Sequence, residues 1–228
     1  MINLQGGALD QQEDTGNMAS LASQAYRILE EMIVTLALAP GATLSEVILS
    51  TKIGIGRTPI REALKRLEHQ GLVTSMPRKG LIVRDMKVED QFTLLEVLRP
   101  LDRLIAAKAA TWATDAQRTA LRACAKAMTA AAEAKELHAF LEFDRECDEI
   151  IYQAARNPFA VDIVTPLYSH CRRFMCAYSR DRDLVLLAAL HATLMQTVAD
   201  CDPERAAAAS DALINYLEAF SKAVLGLT

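Results

Sequence analysis

Apolar positions early in the chain repeat at helical spacing, in short stretches that end at glycine or proline. The first stretch begins at Ala25 and runs to Pro40-Gly41, which predicts one helix. The second stretch starts at Ser45, a residue type that caps helix N-termini well, and closes at two glycines. Two helices are therefore predicted ahead of residue 56.

The third stretch, GRTPIREALKRLEHQGLV at residues 56–73, has the clearest helical stripe. Thr58 is the predicted N-cap, and Pro59 takes the first helical position, where a missing N–H costs nothing. Gly71 ends the helix. The apolar stripe lies at i, i+3, i+4 and i+7 and consists of Ile60, Ala63, Leu64 and Leu67.

The period changes after this helix, where LVTSMPRKGLIVR predicts two short strands around the turn Pro77-Arg78-Lys79-Gly80, with the second strand at residues 81–84. Three helices followed by a β-hairpin are typical of a winged helix-turn-helix, which we predict for residues 21–86. The polar, acidic residues 1–20 are predicted to be a disordered arm.

No convincing strand follows Val88, and six helical segments account for the rest of the chain. Their predicted bounds are about 88–113, 115–135, 137–156, 159–180, 183–200 and 202–226. The predicted fold class is therefore mostly α. The winged helix-turn-helix precedes an all-α bundle of about six helices at residues 87–228, large enough for its own core and a central cavity.

Charge is divided unevenly along the chain, although the formal net charge is only −4. Residues 21–87 hold ten Lys and Arg against six Asp and Glu, whereas residues 88–228 hold fifteen against twenty. A basic segment followed by an acidic one predicts two domains with different partners, and the basic segment suits nucleic acid.

Neither a leader nor a membrane span is recognisable in the sequence. The N-terminus lacks a basic start with an apolar core, and no apolar run reaches the roughly 18 residues of a spanning helix. We expect a cytoplasmic protein without a membrane partner. The five cysteines lack the paired spacing of zinc or redox motifs, and we expect them to be reduced and mostly buried.

Arg57 and Arg61 lie one turn apart at the start of the third predicted helix, the end at which the helix dipole disfavours cations. This placement is explained if the leading end of the helix enters a major groove, where arginine bonds guanine or phosphate. Thr58 would then bond a phosphate. Lys65 and Arg66 lie further along the helix, where contact with the DNA backbone or solvation is expected.

The predicted wing tip is basic as well. Arg78 and Lys79 flank Gly80, which lets the backbone turn tightly and approach a minor groove. The alternative is a solvated helix with surface arginines, and it leaves the agreement of helix spacing, local charge and wing unexplained.

The stretch LSEVILSTKIGIGRTPIREALKRLEHQGLV, with RKGLIV in the wing, resembles the N-terminal domain of the GntR transcription regulators almost residue for residue. The resemblance implies that Arg57, Thr58, Arg61 and Gly80 contact the operator. Gly56 departs from the family, which commonly has a phosphate-binding serine there. This departure concerns one backbone contact and leaves the mode of binding intact.

Residues 90–220 are similar, more loosely, to the helical ligand-binding domain of the FadR branch, called the FCD domain. LLEVLRPLDRLIAAKAA resembles its first long helix, which implies that Arg99 reaches the effector pocket. FDRECDEIIYQAARNPF resembles the helix that carries a metal-binding Asp-x-x-x-His pair and ends in Asn-Pro, so Asn157 joins the candidate effector-binding residues.

The family's metal ligands are only partly present. Asp144 matches the aspartate, Asp148 stands at the first histidine, and His191 matches the second. Leu213 stands where the third histidine is expected. Because the two aspartates lie one helical turn apart, they and His191 could hold a divalent metal, with water or an acidic effector completing the coordination. The alternative is that the two aspartates are solvated or hydrogen-bonded side chains of the pocket and that no metal is bound.

Without a metal, an effector carboxylate needs another cation, and a guanidinium recognises carboxylate with two hydrogen bonds. Arg99 is the first candidate, followed by Arg172 and Arg173. For the last two, a surface position or a structural ion pair is the favoured interpretation.

The leading hypothesis is a homodimeric transcription regulator, expected to be a repressor, that binds a palindromic operator in double-stranded DNA. A small organic acid in the helical domain would change the spacing of the two winged heads. The alternatives are a metal-dependent hydrolase built on Asp144, Asp148 and His191, and an architectural DNA binder without a ligand. The leading hypothesis predicts no enzymatic activity.

Overall fold

The computed structural model describes residues 7–226, including side chains except at residues 7–19 and 181–182. The described residues form nine helices and one two-stranded sheet, so the prediction of a mostly α fold is confirmed. The chain divides into two compact units, Met1–Met86 and Lys87–Thr228, and the second begins where the second domain is predicted to begin. No helix in the described part of the chain is long and apolar enough to cross a membrane.

The first unit is the predicted winged helix-turn-helix. The strands pair antiparallel, with Val73 opposite Val83 and Met76 opposite Gly80. In chain order the elements are α1 (Gly7–Val34), α2 (Glu46–Ile53), α3 (Arg57–His69), β1 (Val73–Met76) and β2 (Gly80–Val83).

Helix α1 differs from the prediction at both ends. Its backbone is helical from Gly7, where a disordered arm was predicted, and residues 1–6 of that arm lie outside the described residues. Residues 7–20 contain no proline, and adding residues to a helix that has already formed costs less than starting a new one. The helix ends at Val34 rather than near Pro40, because Leu36 takes a left-handed conformation with φ of 63°.

The ends of α2 follow the sequence, whereas the start of α3 does not. Ser45 caps α2 by accepting a hydrogen bond from the backbone N–H of Ile48, and Gly54 ends it at φ of 74°. Gly56, not Thr58, is the N-cap of α3, and it has no side chain to accept a bond. Pro59 therefore falls in the first helical turn, where N–H groups lack intrahelical partners and its missing donor still costs nothing.

The apolar stripe of α3 is buried in the core of the first unit. Leu64 and Leu67 are among the fully buried side chains, and they belong to one cluster with Leu29 and Ile33 of α1. Val83 of the hairpin joins the same cluster. Burial of one side of α3 fixes its rotation, so the opposite side faces solvent.

The second unit contains the six predicted helices, each within a few residues of its predicted bounds. Helix α4 packs on α9, and α5 packs on α6 and α8. Asn157 and Asp202 cap α7 and α9 through their side chains, and a proline follows each as the first helical residue. The helices are α4 (Val88–Trp112), α5 (Asp115–Glu133), α6 (Leu137–Ala155), α7 (Pro158–Tyr178), α8 (Asp181–Ala199) and α9 (Pro203–Val224).

Candidate nucleic-acid interface and buried polar cluster

The leading end of α3 presents two cations and a hydroxyl to solvent. Arg57, Thr58 and Arg61 are all exposed, and we call this group the recognition face. The three residues lie within five positions at the helix start, whereas the buried stripe occupies the other side. An anion that approaches this end meets two guanidinium groups and the free N–H groups of the first turn.

Arg61 is held in one orientation by Glu46, the first residue of α2. Its Nε donates to Oε1 of Glu46 at 2.9 Å, and its Nη2 donates to Oε2 at 2.8 Å. These bonds use one edge of a guanidinium that has five N–H donors, so the edge formed by Nη1 and the second Nη2 hydrogen remains for a partner. The hydrogen bond from Arg61 also lowers the pKa of Glu46, which therefore stays ionised.

The other two basic residues of α3 make local contacts. Nζ of Lys65 lies 3.0 Å from Oε1 of Glu62 on the same helix. The guanidinium of Arg66 lies over the ring of Tyr26 in α1, 3.8 Å from its centroid, in a cation–π contact. Both residues are exposed, but neither lies in the first turn of α3.

The wing tip is a tight basic turn. Arg78 and Gly80 both have positive φ, at 67° and 75°. The backbone N–H of Lys79 donates to the carbonyl oxygen of Met76 at 3.1 Å and closes the turn. All three tip residues are exposed, and the left-handed conformation suits glycine at residue 80.

Inside the second unit, the three candidate metal ligands (Asp144, Asp148 and His191) surround an arginine. Nε of Arg172 in α7 donates to Oδ2 of Asp144, and Nη2 donates to Oδ2 of Asp148, both in α6. Nε2 of His191, in α8, lies 3.2 Å from Oδ1 of Asp144. Three helices thus bring four ionisable side chains into contact.

Burial and charge shift the pKa values within this cluster. Burial raises the pKa of Asp144, but the positive charge of Arg172 and its hydrogen bond, together with the contact from His191, outweigh burial and hold the pKa below its ordinary value. Burial, aided by the negative charge of Asp144, raises the pKa of Asp148. Burial lowers the pKa of His191. A neutral His191 that donates from Nε2 to Asp144 leaves Nδ1 as an acceptor, and Nδ1 has no hydrogen-bond partner among the described residues.

A small cavity adjoins the cluster. Its volume is about 30 Å³, and its wall includes Asp144, Arg172, His191 and Leu213, with mainly apolar side chains elsewhere. A space of this size accommodates about one water molecule. Arg172 and His191 therefore share the wall of one small cavity inside the helical unit.

The residues present do not fit a metal ion. Arg172 occupies the space between Asp144 and Asp148, where a divalent cation would have to sit. Leu213, the residue at the third histidine position, is buried and offers no ligand atom. The described residues include no group of three or more His, Cys, Asp or Glu arranged to hold a metal.

Two sequence-predicted pocket residues lie elsewhere. The guanidinium of Arg99 contacts two carboxylates of α9, with Nη2 3.2 Å from Oε1 of Glu218 and Nη1 3.9 Å from Oδ1 of Asp211. Asn157 caps α7, where its side chain accepts from the N–H of Ala160, and it does not line the cavity. Neither side chain lines the cavity, and effector binding by Arg99 and Asn157 stays a prediction.

Arg172 is the pocket residue that the sequence reasoning ranked too low. Arg172 is buried in an ion pair, so the predicted structural ion pair is correct and the predicted surface position is wrong. Arg173 is buried as well. A signal was present in the sequence. Arg172 follows Tyr168 by four residues and precedes Met175 by three, which places it on the apolar side of α7.

The sequence reasoning also missed a second buried carboxyl. Oδ2 of Asp102 in α4 accepts a hydrogen bond of 2.6 Å from the hydroxyl of Tyr168. Burial raises the pKa of Asp102 to about 7, against the opposing effect of this hydrogen bond. Tyr168 also lines the cavity, so this pair lies beside the Arg172 cluster.

The fold and its two sites define a class: proteins with a winged helix-turn-helix and a separate helical unit that encloses a buried polar cluster beside a small cavity. Residues 21–83 match the family described as bacterial regulatory proteins, gntR family, and residues 93–216 match the FCD domain. This chain belongs to the GntR family of bacterial regulatory proteins, in the branch that carries an FCD domain.

Individual relatives agree with this assignment. The chain is 30% identical over 144 residues to the HTH-type transcriptional repressor RspR of Escherichia coli K12, and the match spans 63% of the length of each protein. It is 31% identical over 147 residues to an HTH-type transcriptional regulator in the TAR-I ttuE-ttuC′ intergenic region of Agrobacterium vitis, across 62% of this chain and 85% of the relative. Among solved structures, E. coli McbR/YncC shares the fold, with a TM-score of 0.78 and 18% identity across 90% of this chain and 98% of that one.

Proposed function

We propose that this protein is a cytoplasmic DNA-binding transcription regulator, a repressor, whose operator affinity is controlled by a small organic acid bound in residues 87–228. The observation that carries the proposal is the recognition face, where Arg57, Thr58 and Arg61 are exposed together at the leading end of α3, a helix anchored by its buried stripe. Membership of a family of regulatory proteins supports the proposal, and so does the similarity to a repressor.

The leading end of α3 enters the major groove in this proposal. Arg61 reads a guanine with the guanidinium edge that Glu46 leaves free, because guanine presents two acceptors, O6 and N7, in that groove. Arg57 and Thr58 contact the adjacent backbone or base edges. The wing tip, Arg78 to Gly80, contacts the neighbouring backbone, and Lys65 and Arg66 add charge farther along α3.

The proposed functional unit is a homodimer on a palindromic operator. A single recognition helix reads only a few base pairs, and two copies related by a two-fold axis read two half-sites. The effector acts through linkage, since a ligand that favours one state of the dimer changes the affinity of the dimer for DNA. DNA in turn changes the affinity for the ligand by the same factor.

The Arg172 cluster is the proposed effector site. It combines a buried guanidinium, which can bond a carboxylate, with an unused acceptor on His191, which can bond a hydroxyl group of the ligand. The adjoining cavity holds about one water molecule, so the surrounding helices must move apart to admit a small acid. An architectural DNA binder without a ligand predicts an apolar, filled bundle interior, and this polar interior argues against it. A metal-dependent hydrolase requires a metal among Asp144, Asp148 and His191, where Arg172 sits instead.

Sequence-specific binding is tested by fluorescence anisotropy with two duplexes, the palindrome upstream of the regulated gene and a scrambled duplex of equal length. We expect Arg57→Ala and Arg61→Ala to lower the preference for the palindrome, by about 5- to 150-fold where a two-bond guanine contact is lost. Arg27→Ala removes one exposed cation from α1 and serves as the control, which should weaken binding to both duplexes alike. Unchanged preference in Arg57→Ala and Arg61→Ala would refute the proposed base readout.

Effector binding is tested by thermal shift with a panel of small organic acids, because a ligand that binds only the folded state raises Tm. An acid that raises Tm should also change the anisotropy titration. If no acid in the panel changes Tm or operator affinity, the architectural alternative is favoured.

A further inference from the structure

We propose that the guanidinium of Arg172 takes the place of a metal ion in this chain. In this view the pocket is built around a permanent internal cation, with Asp144 as its counter-ion and Asp148 as a second hydrogen-bond acceptor. The proposal deepens the proposed effector site, because an incoming carboxylate would meet a guanidinium where relatives with the full ligand set would present a metal.

The geometry places Arg172 at the point on which the ligands converge. Its Nε and Nη2 are neighbouring nitrogens of one planar group, and each bonds a different aspartate of α6. His191 approaches the same centre from α8 through its contact with Asp144. The three candidate metal ligands thus surround a cation, and the cation belongs to α7.

The burial of these side chains requires such pairing. The exposed fractions are 10% for the Arg172 side chain and 8% and 14% for the side chains of Asp144 and Asp148. A buried charge without a partner is strongly unfavourable, so two neighbouring carboxyls need a cation between them. Arg172 already meets this need, and a divalent ion at the same point would be repelled by the guanidinium.

Both departures from the family's ligand pattern are explained by this substitution. Asp148, in place of a histidine, gives the guanidinium a second acceptor, because its Oδ2 receives the hydrogen bond from Nη2 of Arg172. Leu213, in place of another histidine, packs in the cavity wall, where an arginine-centred pocket has no use for a further metal ligand. Two changes that look independent in the sequence therefore serve one site.

The proposal is tested by metal content and thermal shift on the full chain, purified without chelator or metal-affinity resin. We expect no stoichiometric metal by elemental analysis, and no change in Tm when EDTA, Zn²⁺ or Mn²⁺ is added. Arg172→Ala removes the internal cation and leaves the candidate metal ligands around the vacated space. This variant should have a lower Tm than the wild type, and Zn²⁺ or Mn²⁺ should raise it.

A double variant, Arg172→Ala with Asp144→Asn, is the matched control, and its Tm should not respond to the metals. If Arg172→Ala fails to fold without metal, recovery of its folded state on refolding with Zn²⁺ or Mn²⁺ supports the proposal. A second route restores the family's set with Arg172→Met, Asp148→His and Leu213→His, and this variant should bind one metal per chain.

Stoichiometric metal in the wild type, or a wild-type Tm that rises with metal, would overturn the proposal. Failure of both Arg172→Ala and the triple variant to bind metal would overturn it as well. These readouts involve no DNA. If the protein does not bind an operator, the anisotropy experiment will reveal this, and the metal measurements will be unaffected.

Discussion

The contact between Glu46 and Arg61 leads us to expect that removal of Glu46 impairs the recognition of DNA sequence. This expectation is unusual, because removal of an acidic residue from a DNA-facing surface normally strengthens binding. Glu46 holds Arg61 by two hydrogen bonds across the two helices, and the free edge of the guanidinium faces outward. In Glu46→Ala the arginine becomes free to rotate. We therefore expect non-specific affinity to rise slightly while discrimination between operator and other DNA falls.

The magnitude follows from the side-chain freedom that the contact removes. Complete ordering of a long, flexible side chain on binding corresponds to about a 10- to 30-fold loss of affinity. The two side chains are 48% and 26% exposed, so the contact orders Arg61 only in part. We expect the preference for the guanine read by Arg61 to fall by about three- to tenfold, and non-specific affinity to rise by up to about twofold.

The assay is an anisotropy titration with the operator, with an operator in which the guanine is replaced, and with a scrambled duplex, each at two salt concentrations. The guanine is the base whose replacement no longer matters in Arg61→Ala. Glu62→Ala is the control, because it also removes an exposed acid that pairs with a basic residue of α3, Lys65, but it leaves the two hydrogen bonds between Arg61 and Glu46 in place. The reasoning is refuted if Glu46→Ala keeps full preference, or if Glu62→Ala loses as much.

Two further predictions concern single residues. Gly56→Ser supplies the side-chain cap that α3 lacks, and its Cβ would come no closer than 3.8 Å to Pro59. We expect about 0.3 kcal/mol more stability in urea unfolding, and tighter operator binding at an unchanged salt slope because a neutral hydroxyl releases no counterion. Gly56→Ala should show neither gain. Asp102, with a pKa of about 7, keeps its proton in the folded state up to that pH, whereas the unfolded chain loses it near pH 4. The free energy of unfolding should therefore fall between about pH 4 and 7 by more in the wild type than in Asp102→Asn, and equal pH profiles in urea unfolding would contradict the assignment.

Much of this structure is predictable from short segments of sequence. The bounds of the six later helices, the Ser45 cap and the hairpin turn all depend on residues within a few positions of one another. Exposure of Arg61 follows from the same local rule, because it lies off the apolar stripe of α3, and Arg57 is exposed at the first position of the helix. The predicted start of α3 was wrong, because the prediction chose Thr58 for its better capping side chain. The residue directly before the first helical turn is Gly56.

The candidate effector site needed the tertiary structure. Arg172 meets Asp144 and Asp148 across 28 and 24 residues of sequence, and Tyr168 meets Asp102 across 66. These contacts depend on how each helix is rotated against its neighbours, and that rotation is set by the packing of the whole bundle. The same packing directs Arg99 to carboxylates of α9 and away from the cavity.

The sequence by itself therefore determined the two domains, the order of their elements and the basic leading end of α3. The reason is that the periodicity of a helix or hairpin depends on residues only a few positions apart. Tertiary structure alone decided that Glu46 orients Arg61, and that Arg172 rather than a metal lies between the two aspartates. The physical reason is that a charged side chain takes its partner from whichever helices pack around it, and several helices must be in place before that partner is defined.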